Sequence, residues 1–497
     1  MSSCGNPATE SDALMPRRPK FDKGKNCVKC KDAPGNIVIR HAVYCKACFF
    51  PLVAFKFRRA LEPFVNPKPD GPRRTALKPA GNLLLGFSGG VGSTVLLDLV
   101  NRSYIVNQKA ELRRDGGKDH PRHDKVWKRV IVCYVELGDA LPRRKDKTAE
   151  IAEVVSHYED VEFVPLRVQD AFDPSWWRRI YGDQALPQLR VSLENEELAA
   201  VLTNPPSTEP LGSLRSYLSS LPTPTAVASA LQSLIRVLLL HTAVETKSSH
   251  LLLGTSLTSL AISLISGIGQ GAGFNIEQEI QEEWVPDIQP ASDSNGSEWL
   301  GGYQKGVRII RPLRDVGLKE CAFWAWWEKL QVVGEDRAGW PESRQDIGGL
   351  TKDFIMRLEK DYPSTVSTIV RTCAKLSPRG DVSGKCVLCE RPAQEGVQEW
   401  KARISVRTTA QATDAVVLSS SSTPRTDDAA AAQLAPHLCY ACHTTLTSRN
   451  ARPPPPLFPS VSKESSVTLP AWVGPRMRRK VGEGEMKAAI QEFLLEE

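Results

Sequence analysis

The stretch NLLLGFSGGVGSTVLLDLVN, Asn82 to Asn101, decides the fold. Asn82–Phe87 is a continuous apolar run with no alternation, as a strand covered on both faces requires. Glycines and serines follow at Ser88-Gly89-Gly90-Val91-Gly92-Ser93, and a helix-like segment occupies Thr94–Asn101. Strand, glycine turn and helix in that order open a βα unit. Further along, similar short runs recur at Val130–Val135, Val161–Leu166, His250–Gly254 and Val307–Ile310, and a long helical segment spans Ala226–Thr246. Repetition of this order predicts an α/β domain, a doubly wound parallel sheet, over 81–330. The polar insertions 106–128 and 200–224 are expected to loop out.

Boundaries follow from composition. The Pro-dotted connector at 62–81 separates a basic unit, 1–80, from the α/β unit, and 331–497 forms a third region. Within that third region, 408–435 and 450–466 are rich in Ser, Ala and Pro and are expected to be disordered. Apolar residues make up 41% and charged residues 24% of the 497, so the chain as a whole has a globular composition. Its net charge of +7 is uneven, because residues 1–80 carry sixteen Lys and Arg against six Asp and Glu. Such an excess suits phosphate backbones. No run of 18 apolar residues exists, and the first twenty residues lack an apolar core and a cleavage site. These features predict a cytoplasmic protein with no membrane role.

Eight of the twelve cysteines fall into four C-x-x-C pairs, a metal-ligand spacing that implies a reducing compartment. Cys27, Cys30, Cys45 and Cys48 make one four-thiol set with fourteen residues between the pairs. Cys386, Cys389, Cys439 and Cys442 make a second with 49 intervening residues, which 408–435 can loop out because closure entropy grows only logarithmically with length. Both predict structural zinc, since four protein thiolates leave no open coordination position. With each set complete, His41, His437 and His443 read as ordinary surface histidines. Lys29, Lys31 and Lys46 around the first knuckle, with Arg58 and Arg59 beyond it, are expected to contact an RNA backbone.

Turns such as Ser88–Ser93 aim amides and a helix N-terminus at an anion. This one resembles the SGGxDS loop of the PP-loop ATP pyrophosphatases, which implies the fold of the adenine nucleotide alpha hydrolase type and a nucleotide near Ser88, Gly89, Gly90, Ser93 and Gly254. Gly92 stands where that family carries Asp. Gly254-Thr-Ser-Leu-Thr-Ser-Leu-Ala261 stands where active thiolating relatives look like GHNADD, so Thr258 and Ser259 replace acidic residues. With Arg311-Pro-Leu-Arg-Asp315 and the two cysteine sets, the degraded loop resembles the cytoplasmic tRNA 2-thiolation protein 2 family. That resemblance implies an accessory, non-catalytic subunit of a heterodimer. Its catalytic PP-loop paralogue would use ATP and take sulfur from a thiocarboxylated ubiquitin-related modifier. The sulfur goes to the wobble uridine of lysine, glutamine and glutamate tRNAs, and the same modifier links the family to protein urmylation. No catalytic residue is expected in this chain, which has no cysteine between Cys133 and Cys321 to relay sulfur. Cys133, Cys321 and Cys373 read as core residues, and Phe323–Trp327, an aromatic run that could stack bases or form an interface, reads first as a packing cluster. Two readings remain open on the residues alone: an ATP-dependent tRNA sulfurtransferase in its own right, and a zinc-dependent adaptor for protein conjugation. Occupancy of the loop by ATP is open as well.

Overall fold

A computed structural model describes residues 26–65, 81–106, 126–141, 144–182, 188–203, 209–287, 306–334, 346–377, 382–404, 432–448, 458 and 466–491. Most of the expected insertion 106–128, the stretch 408–431 and nearly all of 450–466 lie outside the described residues. The first described elements are a hairpin, β1 (Ile37–Ile39) and β2 (Ala42–Tyr44), and the helix Lys46–Val65. Then come β3 (Asn82–Gly86), β4 (Val130–Glu136), β5 (Val161–Arg167), β6 (Gln188–Ser192), β7 (Ala199–Thr203), β8 (Ser248–Leu253), β9 (Glu282–Trp284) and β10 (Val307–Ile310). Toward the end lie β11 (Val382–Lys385), β12 (Pro392–Gln394), β13 (Ala432–Gln433) and β14 (Ser466–Thr468).

All five apolar runs become neighbouring parallel strands of one six-stranded sheet, in the order β5-β4-β3-β8-β10-β9. It is a mixed sheet, where an all-parallel one was expected, because the short edge strand β9 pairs antiparallel with β10. Side chains alternate between two cores, as a period of two residues requires. Leu84, Ile131, Cys133, Leu251 and Ile309 enter one apolar cluster, while Leu83, Leu85, Val132, Leu252 and Ile310 enter the other.

On the first face lies the helix Pro224–Glu245, started by Thr223, whose hydroxyl accepts the Ala226 amide. By length and composition alone it could cross a membrane, yet 67% of its most apolar window is buried inside the protein, with Leu231, Leu234 and Leu238 in the core. On the opposite face pack the helices Val91–Val100 and Leu318–Trp327 together with Phe49, Val53 and Phe57 of the helix Lys46–Val65.

The described part of 200–224 is not a loop. β7 pairs with β6 in a four-stranded antiparallel sheet, β13-β7-β6-β14, and Pro210–Ser220 is a helix with Pro at its first turn. The prolines obscured Leu214, Tyr217 and Leu218, which recur at helical spacing and are buried. The last residues of the low-complexity stretch are also ordered: β13 pairs with β7, and Leu434 and Ala435 are buried. Because β13 and β14 pair with β7 and β6, the C-terminal segment shares a sheet and a core with residues 188–203.

Candidate metal knuckles and glycine loop

Each cysteine set converges. The four Sγ atoms of Cys27, Cys30, Cys45 and Cys48 lie within 4.8 Å of one another, and so do those of Cys386, Cys389, Cys439 and Cys442. A tetrahedral zinc with Zn–S bonds of about 2.3 Å needs S–S edges of about 3.8 Å. Cys30 and Cys45 are 3.8 Å apart at sulfur, and Cys389 and Cys439 are 3.7 Å apart, so the thiols fit that ion. Backbone turns shape the grip: Lys31 N donates to the Cys27 carbonyl at 2.8 Å and Glu390 N to the Cys386 carbonyl at 2.9 Å. Lys31 and Glu390 both take positive φ, +64° and +60°, to close these knuckles. Burial pushes the Cys27 thiol up, but amides of Cys30, Cys45 and Lys29 outweigh it and bring it down to about 6. Burial and the neighbouring thiols push Cys48 up to about 12.

The second knuckle is built into the main core, with all four of its cysteines in the same cluster as Leu84 and Leu251. Of the three histidines, His41 is exposed and His437 half-buried. His443 departs from expectation: it is fully buried, and its Nε2 lies 2.8 Å from the Glu196 carbonyl oxygen. It sits one residue after Cys442, and the helix Tyr440–Thr447 turns it inward.

In the loop after β3, Gly89 adopts φ +75°, and a Cβ there would lie 2.6 Å from Ile151 Cδ1. Ser93 is buried, and its hydroxyl donates to the Gly90 carbonyl at 3.0 Å and accepts from the Ser88 amide at 3.3 Å. Gly334 N donates to the Gly89 carbonyl at 3.0 Å, so the segment after the helix Leu318–Trp327 lies against the turn. Lys147 Nζ in turn donates to the Gly334 carbonyl at 3.3 Å.

Gly92 and Gly254 press backbone against backbone. A Cβ on Gly92 would stand 2.1 Å from the Gly254 carbonyl oxygen, and one on Gly254 would stand 2.5 Å from Ser93 Cα. Thus the structure brings Ser88, Gly89, Gly90, Ser93 and Gly254 together at the C-terminal ends of β3 and β8, and leaves no room for any side chain at position 92.

Of Thr258 and Ser259, which were read as replacing acidic residues after β8, Thr258 is buried, and its hydroxyl donates to both Glu359 carboxylate oxygens at 3.0 Å. Burial, with Glu320 nearby, raises the Glu359 carboxyl above its ordinary range, although the Thr258 bond opposes that. Sequence reading missed this carboxylate, because it arrives from the helix Ile347–Asp361, a hundred residues downstream, with no motif of its own. Glu136, at the end of β4, is likewise buried and accepts from Tyr134 Oη, Leu137 N and Lys147 N at 2.6, 2.7 and 2.9 Å, which fixes the loop beneath the turn. Cys133, Cys321 and Cys373 are buried as expected, and burial pushes all three thiols up, away from the reactive thiolate state.

Lys29, Lys31 and Lys46 are exposed around the first knuckle. Arg58 and Arg59 are exposed too, but twelve residues of helix place them about 18 Å from Lys46. Lys56 is engaged elsewhere, 2.7 Å from Glu320. Lys23 and Lys25 lie outside the described residues.

The chain thus combines a mainly parallel α/β sheet, a glycine crossing at the C-terminal ends of β3 and β8, and two four-thiol groups that could each hold a metal ion. Residues 346–444 match the family model described as cytoplasmic tRNA 2-thiolation protein 2. A relative of that name from Danio rerio is 27% identical over 540 residues, covering 95% of each chain. One from Homo sapiens is 28% identical over 428 residues, covering 78% of this chain and 74% of its own. The solved U34-tRNA thiolase NcsA from Methanococcus maripaludis with its [4Fe-4S] cluster is similar over 73% of this chain and 93% of its own, at 18% identity and a TM-score of 0.43. The chain is thus similar to proteins named cytoplasmic tRNA 2-thiolation protein 2 over most of its length, and to that family's model over residues 346–444.

Proposed function

We propose that this chain is a non-catalytic subunit of the cytoplasmic machinery that thiolates the wobble uridine of tRNA, contributing scaffold and tRNA surface. Similarity to proteins named cytoplasmic tRNA 2-thiolation protein 2 supports the tRNA 2-thiolation role. In this reading the sheet is doubly wound and of PP-loop type, and the partner is a catalytic paralogue with an intact loop. Sulfur comes from a thiocarboxylated ubiquitin-related modifier, and the accepting tRNAs are those for lysine, glutamine and glutamate. Zinc in the two four-thiol sets would be structural, holding Cys27, Cys30, Cys45 and Cys48 at one end and Cys386, Cys389, Cys439 and Cys442 at the other. When bound, such an ion supplies shape, not an open position for chemistry.

The observation that carries the non-catalytic reading is the contact between Gly92 and Gly254. A carboxylate at position 92 would have to displace the Gly254 backbone, so the loop has no place for the acid that active relatives use. Two further features agree with it. Ser88 and Ser93 spend their hydroxyls on the loop itself, with Oγ atoms 3.3 Å apart. Among the described residues, the three cysteines outside the knuckles, Cys133, Cys321 and Cys373, are buried.

Ser93→Ala tests this in a complex with the wild-type partner. Loss of an essential catalytic group costs several powers of ten in rate, whereas loss of a loop hydroxyl leaves wobble thiolation within about threefold of wild type. Abolished thiolation in a complex that still assembles and binds tRNA would assign catalysis to this chain.

A further inference from the structure

The helix Leu318–Trp327 sends Cys321 and Trp324 into the core yet leaves Trp326 70% exposed. Phe323 and Trp327 flank it, with ring centroids 6.3 and 6.2 Å away, and both are half-buried. Trp327 in turn leans on Phe49 and Phe50, at 5.1 and 5.9 Å. The packing cluster expected from sequence is therefore core on one side and an open aromatic face on the other.

Cations border this face. Lys46 Nζ lies 5.9 Å from the Trp327 ring, and Lys319 Nζ lies 6.0 Å from the Phe323 ring. Lys319 Nζ also donates to the Val38 carbonyl of β1 at 3.3 Å, which ties the aromatic helix to the hairpin of the first knuckle. Lys329, three residues after Trp326, is exposed and takes positive φ, +54°. Lys46 follows Cys45 directly, so the aromatic face continues into the basic surface of the knuckle.

We propose that Phe323, Trp326 and Trp327, bordered by Lys46, Lys319 and Lys329, form a stacking site for an unpaired nucleobase of RNA. The inference rests on the reading of this chain as an RNA-binding subunit and names where a single-stranded segment would sit. A flat indole in water offers a π-face to any base, and lysine ammonium groups beside it suit the phosphates on either side of that base. Base-paired RNA already stacks its bases on one another and cannot use the indole. An apolar protein partner would meet the Lys46 and Lys319 ammonium groups at the rim of the same face, a poor match for their charge.

The test uses the full-length chain and two fluorescein-labelled RNAs of equal phosphate number, a single-stranded oligouridylate and a perfectly paired hairpin, titrated across a range of salt concentrations. Trp326→Ala should weaken the oligouridylate about tenfold, the size of one lost base stack, with the salt slope and hairpin affinity unchanged. Trp326→Tyr should restore most of the loss. Since Trp326 is exposed, neither change threatens folding. Lys29→Glu with Lys31→Glu provides the second arm, weakening both RNAs and flattening the salt slope. If that arm behaves so but Trp326→Ala leaves the oligouridylate unchanged, the stacking site is overturned while RNA binding stands. If the wild-type chain shows no salt-dependent affinity for either RNA, both readings fail. If Trp326→Ala releases a protein subunit of the complex and spares RNA binding, the face is a protein interface and the proposal is wrong.

Discussion

Restoring the missing carboxylate should damage the protein, not activate it. In Gly92→Asp the new Cβ would meet the Gly254 carbonyl oxygen at 2.1 Å, a separation that must open to at least 3.0 Å, so the two backbones must part by about 0.9 Å. They cannot part freely. Gly86 and Leu253, just before the two loops, are paired in the sheet, and Leu257 N is held by the Val316 carbonyl at 2.8 Å. Overpacking of this kind costs about 1–3 kcal/mol, and one strained hydrogen bond adds about 1 kcal/mol. At about 2–4 °C per kcal/mol for a large domain, the midpoint of thermal unfolding should fall by about 5–10 °C. Gly92→Ala should fall nearly as far, since the clash is at Cβ and precedes any charge. Circular dichroism melts give the stability, and pyrophosphate release by the purified chain with ATP and tRNA gives the activity. A Gly92→Asp protein that melts with the wild type, or that gains pyrophosphate release, would refute the argument that the crossing excludes an acid.

Elemental analysis should find about two zinc ions per chain, and Cys386→Ser should cost far more stability than Cys27→Ser. The four thiols of the second set belong to the main core, whereas the first set closes a two-stranded hairpin; an absence of metal with eight freely titrating thiols would defeat this prediction. Acid should unfold the wild type partly through Glu279. Burial alone would raise its carboxyl, but Arg391 and Arg311 overrule that and hold it at about 2. Because the folded value is depressed, its contribution is complete above about pH 4.5 and is lost as pH falls toward 2. Glu279→Gln should therefore destabilise at neutral pH, by about 3–5 kcal/mol for an orphaned buried guanidinium, and flatten the stability profile across that window. An unchanged profile would show that the pair is not coupled to folding.

Much of this was legible because the decisive signals are local. Continuous apolar runs such as VIVCYV announce strands buried on both faces, and β4 is buried at every residue. The C-x-x-C pairs announce their own partners, even across the 49 residues between Cys389 and Cys439. What escaped depends on long-range pairing. β7 and β13 are short and gain their stability from each other and from β6, so neither carries a strong strand pattern. The burial of His443 follows from a contact with Glu196, some 247 positions away, and sequence spacing says nothing of it. Gly92 was legible as a departure from the family loop. Its reason was not, since the backbone it touches belongs to another loop.

The buried charges around the second knuckle explain why a metal there would matter beyond its own four ligands. Glu390 directly follows Cys389, and with positive φ it turns its carboxylate into the core. There it meets His241 Nε2 at 2.7 Å and Arg476 Nη2 at 3.0 Å, one on the central helix and one on the C-terminal helix. Burial would raise the Glu390 carboxyl, but Arg476 and the His241 bond bring it down to about 2, while burial keeps His241 below its ordinary range and so neutral. Arg391, the next residue, pairs with Glu279, and Arg236 pairs with Glu282 and donates to the Cys389 carbonyl at 2.7 Å. Each of these charges is tolerable in the interior only while its partner is in place. The knuckle's geometry sets where Glu390 and Arg391 point. Loss of the thiolate grip would therefore withdraw Glu390 from Arg476, Arg391 from Glu279 and the Cys389 carbonyl from Arg236 together, leaving each with fewer partners than the interior requires.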